Sequence, residues 1–507
     1  MIPKALQKWK PEPGFPFKCG LEIHTQLMTK NKLFSASRNS AESAPNQNTT
    51  FFDLGVPGTF PRLNPEALLL ALKAASVMKS HVNPVSSFDR KHYFYLDQPL
   101  GYQITQHFRP LAKGGHLKLT KKFDDVVSDK IIGIEQIQLE QDTAKLNYDA
   151  FESAVTIDFN RANVPLIELV TKPDFDHLVQ VRAFIKKYIG IMTHLGVCSG
   201  DMENGAMRCD VNVSVAGGNR VEIKNLGSTS EITAAVTHEY ARQVKHLKTS
   251  SAPIEQETRS WDGTRTTRTR SKEDAVDYRH FPDIELPLVH LQPSITEEIG
   301  AVLPPLPDQL VADLMSAPYL LEQKHAKFLV ETPALREYYL DLHSLVVKDS
   351  HADASLVATS KMVNNWFFHK LLGTFKKLDQ EVDPSVLSAD KFASLIRMVH
   401  HKDISSTSAK LILTALVQSP ETSRDLSIQE MVDHYDLGAP ADLEEGEFTD
   451  AVRDICVEII SKHPEVAETF RNGKQSSIKF FIGQAMRETQ GKVDSKKFEQ
   501  EFRNLLS

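Results

Sequence analysis

Cysteine is scarce in this chain. Four occur in 507 residues, at Cys19, Cys198, Cys209 and Cys456, and no two form a Cys-x-x-Cys pair. This excludes a disulfide-stapled scaffold and a zinc ribbon, and it fits a reducing compartment. No stretch approaches the roughly 20 apolar residues that a membrane helix requires. An excess of positive charge is also lacking: 59 Lys and Arg against 66 Asp and Glu leave a formal charge of −7. A nucleic-acid partner would therefore be met by local patches, not by a basic coat. The loops GxxxxGK[ST] and GxGxxG are missing, as are HExxH and GxSxG. Phosphate binding would need another architecture, and no Ser or Cys is marked as a nucleophile. The first ten residues carry Lys4, Lys8 and Lys10 without acids. They have neither the Arg- and Ser-rich pattern of a transit peptide nor an apolar secretory core.

What is present is ordinary globular composition, 41% hydrophobic and 25% charged. The length predicts two to four domains. The two halves read differently. Residues 18 to 290 mix alternating runs, turns and a few helices; beyond 295 almost every periodic segment is helical. Between them Pro287, Pro293, Pro304, Pro305 and Pro307 interrupt ladders and helices alike. The pattern predicts an α+β chain: an extension over 1–17, a mixed-sheet domain over 18–290, a helical domain over 291–405 and a helical tail over 406–507.

In the first half, Asn64-Pro65 opens a helix with Leu68, Ala71, Ala74, Val77 and Met78 as its stripe. A second helix starts at Asp176 and carries Val181, Phe184, Ile185 and Leu195 before Gly196. Leu21 to Leu27 alternates with period two, as does Asp210 to Val215; the loop 216–219 joins the latter to Arg220–Lys224 as a hairpin. In the second half helices are expected near 308–316, 322–331, 353–376, 389–400, 407–417, 448–462, 475–488 and 494–505. Asp494 would cap the last, with Phe498, Phe502 and Leu505 on one face.

The polar faces of the strands are unusual. Glu22, His24 and Gln26 share one face; Asp210, Asn212 and Ser214 share another; Glu222 and Lys224 a third. Gln138 to Asp142 adds acids at a strand end. One such face is ordinarily just solvated. Several folded over one cleft would suit Mg²⁺ better than zinc, because the donors are carboxylates with a single imidazole. Two further clusters have two readings each. Lys91 to Asp97, leading to Gly101-Tyr102-Gln103, offers aromatics for stacking on a base or for core packing. Arg259, Arg265, Arg268, Arg270, Lys272 and Arg279 offer phosphate contacts or a solvated loop.

In order, Cys19-Gly20-Leu21-Glu22-Ile23-His24, Tyr93-Phe94-Tyr95, Gly101-Tyr102-Gln103, Asn160-Arg161 and Val164-Pro165-Leu166-Ile167-Glu168 resemble the B-subunit family of glutamyl-tRNA(Gln) amidotransferases. The likeness continues through Met202 to Asn212, Glu222-Ile223-Lys224-Asn225, Glu257-Thr258-Arg259, Arg270 to Glu273, Asp277-Tyr278-Arg279 and the tail run Gly483 to Lys492. It covers nearly the whole chain, most closely in the manner of fungal mitochondrial members.

The resemblance implies a glutamine-synthetase-like cradle and an ATP- and Mg²⁺-dependent kinase and transamidase. The γ-carboxylate of glutamate on tRNA(Gln) is phosphorylated, and the phosphate is then displaced by ammonia from a separate amidase subunit. It implies catalytic roles for Glu22, His24, Glu140, Arg208 and Lys224, and metal binding by Glu22, His24, Glu140, Glu203 and Glu222. It implies ATP or substrate contacts from Tyr93, Tyr95, Tyr102, Gln103, Asn160, Arg161, Asp210, Asn212, Arg259, Arg270, Lys272 and Arg279. Tail cations Arg471, Lys474, Lys479, Arg487 and Lys492 would meet the tRNA body. A small third subunit, the fungal-specific one in place of the bacterial one, and a mitochondrial location are implied as well.

Some positions depart from the family pattern. Four zinc-ligating cysteines of bacterial relatives align with Ser35, Ser37, Thr50 and Asp53, so no structural zinc is expected. A Glu-Glu-Asp triplet reads Glu140-Gln141-Asp142, and an Asp-Tyr-Arg-Tyr-Phe-Pro run has His280 for its second Tyr. A non-catalytic tRNA-binding scaffold is the alternative reading, and an unrelated hydrolase built on Glu22 and His24 a third. The acids Glu22, Glu140, Glu203 and Glu222, with His24, argue for catalysis.

Overall fold

The computed structural model describes residues 8–40, 43–149, 151, 153–271, 277–348, 353–418, 426–435, 437, 445–471, 475–489 and 495–506. The chain forms two compact units, Met1–Pro307 and Asp308–Ser507.

The first unit is built on a ten-stranded sheet. From edge to edge its strands are Thr266–Ser271, Glu257–Trp261, Val221–Leu226, Met207–Val215, Phe17–Gln26, Pro165–Thr171, Lys130–Gln141, Ala112–Lys113 and His81–Val82, with His116–Leu119 also pairing to Lys130–Gln141. Val221–Leu226 and Glu257–Trp261 run parallel, while the pairs around them are antiparallel. The expected hairpin forms in register, with Val213 opposite Val221 and Asn212 opposite Glu222. Its turn uses positive φ at Ala216 and Gly217, and glycine takes that conformation without a Cβ clash.

Period-two alternation sorts each strand. Cys19, Leu21, Ile23, Val211, Val213, Ile137 and Leu139 are buried in one core with side chains from the helices Pro65–Val77, Leu178–His194 and Thr229–Thr249. Each fully buried aliphatic or aromatic side chain contributes about 1.5–3 kcal/mol. The opposite face carries Glu22, His24, Glu140, Glu168 and Asp210. Helix Pro65–Val77 begins as read, with the Asn64 side chain accepting from the Glu66 amide at 2.9 Å. The second helix begins at Leu178, not Asp176. His177 caps it through Nδ1, and Asp176 instead holds Lys130 and Gln180. Thr229–Thr249 was not anticipated; its stripe of Ile232, Ala235, Val236, Tyr240 and Val244 is interrupted by many polar residues. The proline-rich stretch carries a strand, Val289–His290, paired to Val85–Ser86, and a helix, Ile295–Val302, whose Ile299 joins the same core.

The second unit is helical. The expected single helix over 353–376 is Asp353–Asn365, a π-helical turn Trp366–Leu371 and Leu372–Lys377. Helices Pro333–Val347 and Pro464–Arg471 were not anticipated, although each opens on a proline that suits a first helical turn. Near the C-terminus, Val452, Cys456, Ile459, Phe481, Phe498, Phe502 and Leu506 form a separate small core. The last helix is Ser495–Leu506; it buries Phe498, Phe502 and Leu506, and Leu505 packs partly buried against the same core. Asp494 lies outside the described residues. Among those residues no helix is long and apolar enough to cross a membrane.

Candidate active site

The strand Phe17–Gln26 lies at the centre of the polar face. Register sets His24 between Glu168 and Arg208, and Glu22 opposite Asp210. Glu140 stands one strand further out, opposite Leu166, which is itself opposite Gln26. Opposed residues of antiparallel strands point to the same side, so these groups converge. His24 Nε2 is 3.2 Å from Glu140 Oε1 and 4.0 Å from Glu168 Oε2. Glu22, His24 and Glu168 each offer one donor atom, all within 4.8 Å of one another.

Three carboxylates around one imidazole leave the cluster short of positive charge. Burial works against a charged His24, but the bond to Glu140 and the fields of Glu140, Glu168 and Glu22 outweigh it and raise its pKa to about 9. Burial likewise opposes ionisation of Glu140, yet the His24 bond and charge hold it low, to about 2. Glu168 is pushed well up, by burial first and then by Glu140. The surrounding carboxylates thus favour positive charge at this point of the sheet. Two carboxylates and an imidazole suit Mg²⁺, whose remaining ligands are usually waters or substrate phosphates.

A directed hydrogen-bond chain supports the cluster. Gln136 Nε2 donates to Gln138 Oε1 at 2.7 Å. The Gln138 amide donates to Glu168 Oε2 at 2.5 Å and to Thr105 Oγ1 at 3.2 Å. Thr105 in turn donates to Glu140 Oε2 at 3.2 Å. Two ion pairs flank the cluster. Arg208 donates to Asp142 at 2.7 Å, and Gln26 to the other oxygen of Asp142 at 3.0 Å. Lys224 lies 3.2 Å from Asp210 and 3.3 Å from Glu222. Burial disfavours the Lys224 ammonium, but Asp210, Glu222 and Glu22 outweigh it and raise its pKa.

The other residues singled out in the sequence divide. Asn212 sits half-buried on the polar face, opposite Glu222. Thr258 donates to Glu222, and Arg270 reaches Thr258 at 3.4 Å. Tyr93 stands close enough to Asp97, Glu140 and Asp142 for them, after burial, to raise its pKa. Tyr95 is exposed beside it, ring centroids 5.3 Å apart. Tyr102 lies under the Arg90 guanidinium, and the buried Gln103 donates to the Gln141 carbonyl.

Asn160 is occupied in holding the loop at 43–48, and Arg161 in holding the carbonyls of Thr143 and Ala144. Glu203 is exposed in the turn before Met207–Val215, outside the three-donor set. Arg259 points to the helix side, not to the cleft, where it bonds Glu257 at 2.6 Å and lies 3.6 Å from the fully buried Glu239. Arg279 is exposed, with its carbonyl bonded to His92. Arg471, Lys479 and Arg487 are exposed on tail helices; Lys272, Lys474 and Lys492 lie outside the described residues.

In the sequence Glu168 and Gln138 stand out only as parts of longer runs. Glu168 interrupts an otherwise apolar run, Leu166 to Val170, and a lone carboxylate in such a strand was the available signal. Ser35, Ser37 and Thr50 all converge on Asp53, with hydroxyl-to-carboxylate distances of 2.6 to 3.1 Å.

A polar sheet face with clustered acids and paired cations lies over a helix-packed core, the layout of a catalytic domain. Residues 17–297 match the family described as the GatB/GatE catalytic domain, and residues 351–506 match the family described as the GatB domain. The chain is 62% identical over 506 residues to the B subunit of the mitochondrial glutamyl-tRNA(Gln) amidotransferase of Clavispora lusitaniae, covering 100% of this chain and 94% of that protein. It is 51% identical to the Debaryomyces hansenii protein of that name, covering 98% and 96%, and 44% identical to the Saccharomyces cerevisiae one, covering 98% and 95%. The chain belongs to the family of mitochondrial glutamyl-tRNA(Gln) amidotransferase B subunits.

Proposed function

We propose that this protein phosphorylates the γ-carboxylate of Glu-tRNA(Gln) with ATP and Mg²⁺ and then lets ammonia displace the phosphate, giving Gln-tRNA(Gln). The observation that carries the reading is the Glu22, His24 and Glu168 donor set, with Glu140 bonded to His24, on the same sheet face as Arg208 and Lys224. Bound Mg²⁺ would supply charge neutralisation at the phosphates. Glu22, His24 and Glu168 would hold it, and Glu140 would keep the imidazole in place.

Arg208 and Lys224 are held by Asp142 and Asp210, so they face the cleft as preorganised cations for phosphoryl oxygens. A carboxylate oxygen attacks the terminal phosphorus, and the bond from that phosphorus to the ADP oxygen breaks. The ammonia nitrogen then attacks the acyl carbon, phosphate leaves, and a proton is lost from nitrogen. The ammonia comes from a partner amidase, since no hydrolytic nucleophile is marked in this chain; a small third subunit completes the assembly. The exposed tail cations meet the tRNA body.

The test is ATP-dependent formation of Gln-tRNA(Gln) by this chain with its amidase partner, using ammonia as well as glutamine. Loss of both reactions in Glu22→Gln is the expected result. Conversion that needs no ATP would overturn the reading, as would full activity of that variant.

A further inference from the structure

We infer that the tip Tyr93–Leu96 is a stacking platform for the unpaired terminal base of the RNA whose aminoacyl group enters the cleft, an inference that rests on the proposed function. Phe94 is 87% exposed, Tyr95 63% and Leu96 61%. Three consecutive large apolar side chains in water are poorly tolerated unless something covers them in use.

The tip is fixed by its own backbone. Gln98 N donates to the Tyr95 carbonyl at 3.0 Å, Gly101 N to Gln98 at 3.0 Å, and Tyr93 N to Gly101 at 3.2 Å. Gly101 has a φ of +72°, a conformation that favours glycine, and a Cβ there would press on the edge of the Phe94 ring at 3.1 Å. A tip whose backbone is already fixed spares a ligand the cost of ordering it.

Charge and position select the occupant. The Lys91 ammonium lies 4.8 Å over the Tyr278 ring. Arg270 hydrogen-bonds Tyr278 and lies close to Tyr95. Aromatic faces interleaved with cations are what a single-stranded nucleic-acid end requires, a π-face for the base and charge for its phosphate. The tip is also continuous with the cleft. Ala144, whose N donates to the Asp97 carbonyl at 2.8 Å, lies two residues beyond the Asp142 that holds Arg208. A glutamyl group esterified to a terminal ribose brings the adjoining base to this rim when its carboxylate reaches the cluster.

The test uses the full chain in complex with its partner subunits. One probe is tRNA carrying 2-aminopurine at its terminal base, and the other is 2-aminopurine riboside triphosphate. Stacking quenches the fluorescence of the RNA probe in the wild-type complex. Phe94→Ala should abolish that quenching and raise the KM for Glu-tRNA(Gln) by about 5- to 150-fold, the range seen when one base-stacking ring is removed. The KM for ATP should stay within about twofold, and Phe94→Trp should restore quenching.

Unchanged quenching and KM in Phe94→Ala overturn the inference. So does quenching of the triphosphate in place of the RNA, which makes the tip an adenine site for ATP. Failure of Phe94→Ala to co-purify with the amidase partner also overturns it, by making the tip a protein interface. Absence of ATP-dependent conversion by the wild-type complex would instead remove the proposed function, and the fluorescence of unreacted tRNA reads the platform separately.

Discussion

The side chains of Lys32 and Asp53 are both wholly buried, with the ammonium 3.7 Å from Asp53 Oδ2. Asp53 also accepts from the hydroxyls of Ser35, Ser37 and Thr50, the Thr50 amide and the Asn163 side chain. Three of those donors, with Asp53 itself, are the positions at which the family resemblance implies zinc cysteines in bacterial members. Here a carboxylate saturated with donors and a lysine cation join the same chain segments. Burial pulls the Lys32 pKa down, and Asp53 resists that pull. Asp53→Asn should therefore destabilise the protein by about 3–5 kcal/mol, because it strands a buried charge. Lys32→Met should cost less, since Asp53 keeps its hydroxyl and amide donors. Urea unfolding of the two variants checks the order, and a larger loss for Lys32→Met would refute it.

Gln138 is not one of the three donors, yet it fixes both Glu168 and, through Thr105, Glu140. Groups that orient ligating carboxylates from behind typically change metal affinity by about 10- to 100-fold when removed. Gln138→Leu should weaken Mn²⁺ binding by that order, measured by electron paramagnetic resonance of the free ion. Unaltered affinity in the folded variant would mean that Glu168 and Glu140 hold their positions without the chain of hydrogen bonds.

The strand faces were legible in the sequence, because Glu22, His24, Asp210 and Asn212 repeat at period two. Their order in space was not. Glu168 becomes a cluster member only when register places it opposite His24. Nor does residue type reveal which face a strand turns to the helices. Arg259 is one residue from Thr258, whose hydroxyl meets Glu222 on the polar face, and so it points the other way.

That parity gives Arg259 a structural part. Glu239 is fully buried, held by Arg242 at 2.7 Å and facing Arg259 at 3.6 Å. Arg259→Gln should cost about 2 kcal/mol, below the usual loss for a broken buried pair because Arg242 remains. The KM for ATP should be unchanged. A large rise in that KM with unaltered stability would return Arg259 to the cleft.

His107 and His280 stack face to face, ring centroids 3.9 Å apart. Burial first, and then His107 and Lys91, push the His280 pKa down to about 4. A depressed imidazole favours the fold while it is neutral. As pH falls below the unfolded value near 6.5, the unfolded chain takes up the proton first and stability is lost, levelling off below about 4. His280→Phe should flatten that part of the profile, read as the difference in urea midpoints between pH 7 and pH 5. An equal slope in both proteins would show that His280 does not titrate abnormally.

The tail calls for charge changes and not for a cut at 406. Helix Ser406–Gln418 buries Ile412, Leu413, Leu416 and Val417, so its removal would expose a core. The separate core from Val452 to Leu506 carries Arg471, Lys479 and Arg487 on its surface, all exposed and none ion-paired among the described residues. Surface reversals there leave packing alone. If these cations neutralise tRNA phosphates, the triple variant Arg471→Glu, Lys479→Glu, Arg487→Glu should bind tRNA more weakly. Each lost contact removes about one unit of slope from the plot of log affinity against log salt, so the slope should fall by about two to three. The loss should be similar for tRNAs of different sequence, because backbone contacts position a substrate without reading it. ATP affinity should not move, since the acids and cations of the candidate cleft all lie in the first unit. Binding with an unchanged slope at every salt concentration would leave these three side chains as solvated helix charges.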